Sequence, residues 1–221
     1  MIEVRPGEFY QKYPIGYPLL VAAGYLLGGE SGAFLVNPVL GVLCILGTML
    51  LARELFGPWT AIVAGACIAL CPAVLFQSVS AVSHISDTCF VVFGLWILWK
   101  WGQSGRGAYS LLAGFLIGFA VSIRNTEALL IANVAWVVVL RCQSLPRDLR
   151  WKHLLQQLLP MACGFLIAAV PLAVYQWCAF SSPIRSGYSF TGESTAFSPA
   201  DFVQHLPFVL RMRIPRHLGF L

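Results

Sequence analysis

Tyr10-Gln11-Lys12-Tyr13-Pro14-Ile15-Gly16-Tyr17-Pro18-Leu19-Leu20 stands immediately before a series of long apolar runs. The stretch sets three tyrosines, one lysine and two prolines where the chain enters a membrane. Tyrosine suits the headgroup level, because its ring is apolar and its hydroxyl is wet. Proline stiffens the backbone and restricts the residue before it. A lysine held at that level can meet a phosphate. These are parts for handling a lipid phosphate at a bilayer surface.

The rest of the chain agrees with a membrane setting. Of its 221 residues, 58% are hydrophobic and only 10% are charged, against about 25% charged in a soluble domain. Mean hydropathy is +0.78. The net charge of +5 does not point to nucleic acid, since the basic residues lie in loops between apolar runs, as the positive-inside rule expects. The seven cysteines are scattered, with no CxxC and no Cys/His pair at zinc spacing, and read as small apolar packers. Met1 to Gly7 is polar, and no basic n-region precedes an apolar h-region.

About 20 residues are needed to cross a hydrocarbon core of roughly 30 Å. Leu19 to Leu27 is too short for that, and reads as an interfacial, juxtamembrane helix ended by Gly28-Gly29. Six spans follow: Phe34 to Ala52, Trp59 to Phe76, Val82 to Trp101, Ala108 to Ile123, Thr126 to Leu140 and Leu155 to Trp177. The expectation is an all-α polytopic membrane protein of about six transmembrane helices plus one N-terminal juxtamembrane helix. Its parts are an extracytoplasmic segment over 1–32, a bundle over 33–180 and an extracytoplasmic loop over 181–221. Arg53, Lys100, Arg106, Arg141, Arg147, Arg150 and Lys152 then fall on the cytoplasmic side.

Two features inside the spans carry chemistry. Ala108 to Ile123 would be only about 24 Å long at 1.5 Å per residue, so the turn Arg124-Asn125-Thr126-Glu127 should sit below the outer surface. Charges at that depth are costly unless they face protein or a wet cavity. A plainer reading pairs Arg124 with Glu127, three residues on. Ser80, Ser83, His84 and Asp87 recur at helical spacing and make one polar stripe at the outer end of the third span. The plainer reading there is a solvated helix start, with Ser86 or Asp87 as N-cap.

Several stretches, in order, resemble a known family signature. They are the Tyr-Pro-x-Gly-Tyr-Pro-Leu-Leu motif of residues 13–20, Ser86-Asp87 at the start of a span, and Gly118 to Leu130 as a helix break built around Arg124. The last is Phe180-Ser181-Ser182-Pro183-Ile184-Arg185-Ser186-Gly187-Tyr188. The set is similar to bacterial glycosyltransferases of the GT-C superfamily, family 39-like, relatives of protein O-mannosyltransferases and of the aminoarabinose transferase of lipid A. It covers about residues 8 to 190.

The resemblance implies a GT-C-like transmembrane core. Its implied activity is inverting transfer of a sugar from a polyprenyl-phosphate donor to an extracytoplasmic glycan, lipid or protein acceptor, with no nucleic acid involved. It implies a multi-pass protein of the bacterial inner (plasma) membrane, with its active face outside the cytoplasm. Lys12 and Arg124 are the candidates for the donor phosphate. Tyr10, Tyr13 and Tyr17, with His84, Asp87, Asn125 and Tyr188, would line the cavity. No cofactor is expected, with a divalent metal left open. In the family the catalytic aspartate lies in an external loop ahead of the Tyr-Pro motif. The expectation is therefore a member truncated at both ends and lacking that loop, with Glu8 and Glu127 the remaining carboxylates for a general base. The alternative is a non-catalytic membrane subunit or a small-solute transporter, since a broken helix with buried charge also suits a transport site.

Overall fold

A computed structural model describes residues 2–143, 150–183 and 185–191 and positions 203 and 207. The expectations for Arg147 and for most of the 181–221 loop lie outside the described residues. Packing divides the chain into two compact units, Pro14–Tyr175 and a smaller one of Met1–Tyr13 with Gln176–Leu221.

The larger unit is helical: α1 Gly16–Phe56, α2 Pro58–Ala69, α3 Pro72–Val79, α4 His84–Ser104, α5 Gly107–Ile123, α6 Ile131–Gln143 and α7 Arg150–Phe180, whose last turn belongs to the smaller unit. A 3-10 turn, Asn125–Leu130, joins α5 to α6. This is an all-α membrane protein. Among the described residues, three helical stretches are long and apolar enough to cross a bilayer: Gly16–Phe56, Asn125–Gln143 and Leu158–Phe180. A fourth counts if α2 and α3, bent by 60° at their junction, form one broken span. The bend divides the run expected over Trp59 to Phe76. Pro72 opens α3, and Cys71 before it is extended at φ −71° and ψ 117°, as a residue preceding proline prefers. The 21 residues of α4 are long enough but too polar at the start to pass on apolarity, and α5 has only 17. Both nevertheless form the interior: Trp101, Leu98, Ala113 and Ala120 are almost wholly buried between them.

The break expected at Gly28-Gly29 is present, and it is sharper than a kink. Gly28 (φ −150°, ψ 22°) and Gly29 (φ 59°, ψ −145°) leave helical geometry. The two arms of α1 fold back on each other. A Cβ on Gly24 would stand 2.7 Å from the carbonyl oxygen of Gly32. Tyr17 and Asn37, twenty residues apart, share a hydrogen bond; a straight helix would hold them about 30 Å apart.

Asn37 is the polar centre of this end of the bundle. It is 4% exposed. Its amide nitrogen donates to the carbonyls of Ser80 and Val82 and to the Tyr17 hydroxyl, and its Oδ1 accepts from Ser86 Oγ at 2.8 Å. One side chain thus ties both arms of α1 to the α3–α4 connection and to α4. Each such bond contributes roughly 0.5–1.5 kcal/mol net, and more is lost when a buried partner is stranded. Ser86 therefore acts in this network and not as an N-cap. The helix begins at His84, and its N-cap Ser83 makes no side-chain capping bond. At the other end of α4, Lys100 pairs with Glu54 and Arg141 donates to the carbonyls of Gly102 and Gln103.

A third contact fixes α5 against α7. A Cβ on Gly114 would lie 2.0 Å from the carbonyl oxygen of Met161, and one on Gly164 would lie 2.0 Å from that of Leu111. Only glycine lets the two backbones touch, as in small-residue packing of membrane helices.

In the smaller unit, β1 Ile2–Arg5 and β2 Glu8–Tyr10 pair antiparallel around Pro6-Gly7, where Gly7 takes φ 79°. Arg5 reaches Glu8 Oε2 at 3.2 Å and Ser181 Oγ at 3.0 Å. This hairpin lies in the segment 1–32 expected to be extracytoplasmic, for which no strand was expected.

Candidate functional site

Arg124 is where α5 stops. Its backbone is extended (φ −144°, ψ 118°), and the chain then tightens into the 3-10 turn. An Arg and a Glu three apart face each other on an α-helix, but no α-helix runs through residues 124–127. Arg124 turns instead to α4. Its Nη1 meets His84 Nδ1, and its Nε lies 3.9 Å from Asp87 Oδ2. The mutual Arg124–Glu127 pair is therefore replaced by an interhelical one.

Asp87 is 6% exposed, and its Oδ1 is buried with no hydrogen-bond partner among the described residues. A carboxylate so placed is costly unless paired, and Arg124 is the cation it faces. Glu127 also meets Asp87, through a side-chain hydrogen bond and through a charge that opposes Arg124. Thr126 Oγ1 donates to Glu127 Oε1 at 3.5 Å. Asn125 is half-buried at the head of the turn. Four of the expected residues, His84, Asp87, Arg124 and Glu127, thus meet at one end of the bundle. Tyr17 joins the Asn37 network at that end.

The smaller unit collects the others. The Lys12 ammonium stands 5.6 Å from the Tyr13 ring centre and 5.2 Å from that of Tyr188, within cation–π range. The two rings meet edge to face at 5.8 Å. Gly187 backs directly onto Lys12: a Cβ there would lie 2.5 Å from the Lys12 Cα. The Tyr10 ring packs on Phe180. Glu8 holds Arg5 and accepts from the Tyr10 hydroxyl at 3.4 Å.

Residues 12–177 match the family of dolichyl-phosphate-mannose-protein mannosyltransferases. The chain belongs to that family. It is a membrane glycosyltransferase of the GT-C type, and at that level of detail the family works with a lipid-linked sugar donor and a glycan or protein acceptor. No curated protein and no solved structure matches the chain. The family match runs from Lys12 through Arg124 into the last turns of α7, so it covers the His84, Asp87, Arg124 and Glu127 cluster whole and, of the other, Lys12 and Tyr13.

Asn37 was missed in the sequence reading. The signal was an amide inside an otherwise apolar run, beside Pro38; polar side chains at membrane depth seldom lack a partner. Among the described residues no three His, Cys, Asp or Glu side chains gather as metal ligands. At the site itself the cation that His84 and Asp87 face is the Arg124 guanidinium.

Proposed function

We propose that this chain transfers a sugar from a polyprenyl-phosphate donor to an extracytoplasmic acceptor with inversion, as a glycosyltransferase or a portion of one. The observation that carries this reading is Arg124, held in the turn after α5 by a buried aspartate and a histidine. Its guanidinium fork suits a phosphate, which leaves bearing the negative charge as the sugar–phosphate bond breaks. The acceptor oxygen attacks the anomeric carbon from the opposite face, and a carboxylate takes its proton. His84 and Asp87 orient Arg124 and do not touch the sugar. In the smaller unit Lys12, a point charge within cation–π range of the Tyr13 and Tyr188 rings, is proposed as a phosphate contact in its own right, with Tyr10 a lining residue there and Tyr17 one in the larger unit.

The direct test is release of polyprenyl phosphate. Membranes containing the chain are incubated with polyprenyl-phosphate mannose, glucose, galactose and aminoarabinose. At least one donor should be consumed faster than in membranes without the chain. No consumption of any of them defeats the proposal.

The bacterial inner membrane is the proposed location, with the Arg124 end facing out. It rests on the basic residues Arg53, Lys100, Arg106 and Arg141 lying at or near the other end of the bundle, where Lys100 and Arg141 are anchored. In a cysteine-free background, Ala81→Cys should react with an impermeant thiol reagent in intact cells. Gln103→Cys should react only after lysis. The reverse pattern would put the site in the cytoplasm.

A further inference from the structure

A groove of about 480 Å³ runs between α5, the 3-10 turn, α6 and α7, within the roughly 300–1,000 Å³ of ordinary ligand sites. Its floor is closed where Gly114 meets the α7 backbone, and Ile117 and Met161 beside it are buried. Its rims are open to the side, with Ile131 73% and Leu166 55% exposed. Every lining side chain is apolar except one, Glu127.

That exception decides what fits. No Lys or Arg lies within ion-pair distance of Glu127 among the described residues, because Arg124 is turned to Asp87 and His84. A phosphate-headed lipid lying in the groove would bring its anion against the acidic pair of Glu127 and Asp87, which share a side-chain hydrogen bond, with no cation in ion-pair reach of Glu127 itself. Apolar surroundings screen that repulsion poorly. A hydroxyl head does the opposite, donating a charge-assisted hydrogen bond to the carboxylate.

We propose that the groove is the acceptor site, and that the acceptor is an amphiphile whose alkyl chain lies along α5 and α7 and whose hydroxyl is held by Glu127. This rests on the glycosyltransferase reading and sharpens it: donor and acceptor are sorted by charge. The anionic head goes to Arg124, and the hydroxyl head goes to Glu127 three residues away. The acceptor arrives laterally, from the bilayer.

The test needs no turnover. The full chain is placed in phosphatidylcholine nanodiscs with one of two photoactivatable probes of identical alkyl chain, a glycerol ether or its phosphate ester. Adducts are mapped by mass spectrometry. The glycerol probe should label Ile117, Met161 and Leu166 at least tenfold more than the phosphate ester, and unlabelled glycerol ether should compete. Glu127→Gln should cut that preference to about twofold or less. Ala162→Phe, which fills the groove, should abolish labelling while thermal melting shows the fold intact. Equal labelling by both probes, or an unchanged preference in Glu127→Gln, means that the groove holds only bulk lipid and overturns the proposal. Donor consumption is measured separately, so failure of the transferase reading with head-group selection intact is recognisable as such.

Discussion

Arg124→Ala should reduce consumption of the polyprenyl-phosphate donor by about 10- to 150-fold. A hydrogen bond to a charged group contributes on the order of 1.5–3 kcal/mol, and each 1.4 kcal/mol is a factor of ten in rate. Arg124→Lys should recover part of this, since it keeps the charge and loses the fork. The alanine variant should also be less stable, because Asp87 is left buried beside an empty place. The cost should fall below the roughly 3–5 kcal/mol of breaking a fully buried pair, since the Arg124 side chain is 37% exposed. Arg124→Ala combined with Asp87→Asn separates the two effects: melting temperature in detergent should return toward that of the parent, and donor consumption should not. Recovery of both would make Arg124 a purely structural residue.

Gly114→Val should be the most disruptive single change in the bundle. Its Cβ would stand 2.0 Å from the Met161 carbonyl oxygen, 2.8 Å from the carbonyl carbon and 3.0 Å from the Cα. All three are backbone atoms, so no side-chain rotation relieves the clash. Overpacking typically costs about 1–3 kcal/mol, and a clash against main chain belongs at or above the upper end. Lipid tails are as apolar as the helix surfaces, so no hydrophobic effect draws α7 back. The melting temperature should fall by many degrees, and the groove between α5 and α7 should stop labelling with any lipid probe. Gly107→Ala is the control, because its Cβ would meet only Pro160 at 3.9 Å. Equal melting of Gly114→Val and the parent would show that the seam carries no stability.

The sequence was informative wherever a local signal had one physical outcome. Gly28-Gly29 has no side chain to defend a helix, and the helix breaks there. The short α5 ends at Ile123, where its apolar run stops, and the turn that follows carries Arg124 to His84 and Asp87. The stripe through Ser80, Ser83, His84 and Asp87 was only half helical: Ser80 caps the end of α3, donating to the Phe76 carbonyl, while His84 and Asp87 lie on α4.

What escaped was non-local or rested on unusual backbone. Arg124 and Glu127 have the spacing of a helical ion pair, but spacing means nothing across an extended residue and a 3-10 turn. Asn37 has partners 43, 45 and 49 residues away, and no periodicity announces them. Gly114 and Gly118 do form a GxxxG pattern in an apolar helix, a recognised cue for close packing, but it does not say that the opposing face is Met161 and Phe165. The first hairpin had its cue too, in Pro6-Gly7; with strands of four and three residues, alternation has little length in which to show.

The order in which Asn37 meets its partners has a consequence for biosynthesis. Tyr17 leaves the ribosome twenty residues ahead of Asn37. At roughly 5–20 residues per second it waits about one to four seconds, with only water or lipid headgroups for its hydroxyl. The first arm of α1, at about 18 Å for its twelve residues, cannot hold itself across the bilayer in that interval. It rests at the interface until the second arm is laid beside it. The Ser80 and Val82 carbonyls arrive next and Ser86 last, so every remaining partner of Asn37 is made after it. The amide is left half-satisfied in the nascent chain and is completed only when α4 is inserted, which makes arrival of α4 the step that commits the preceding helices to their places.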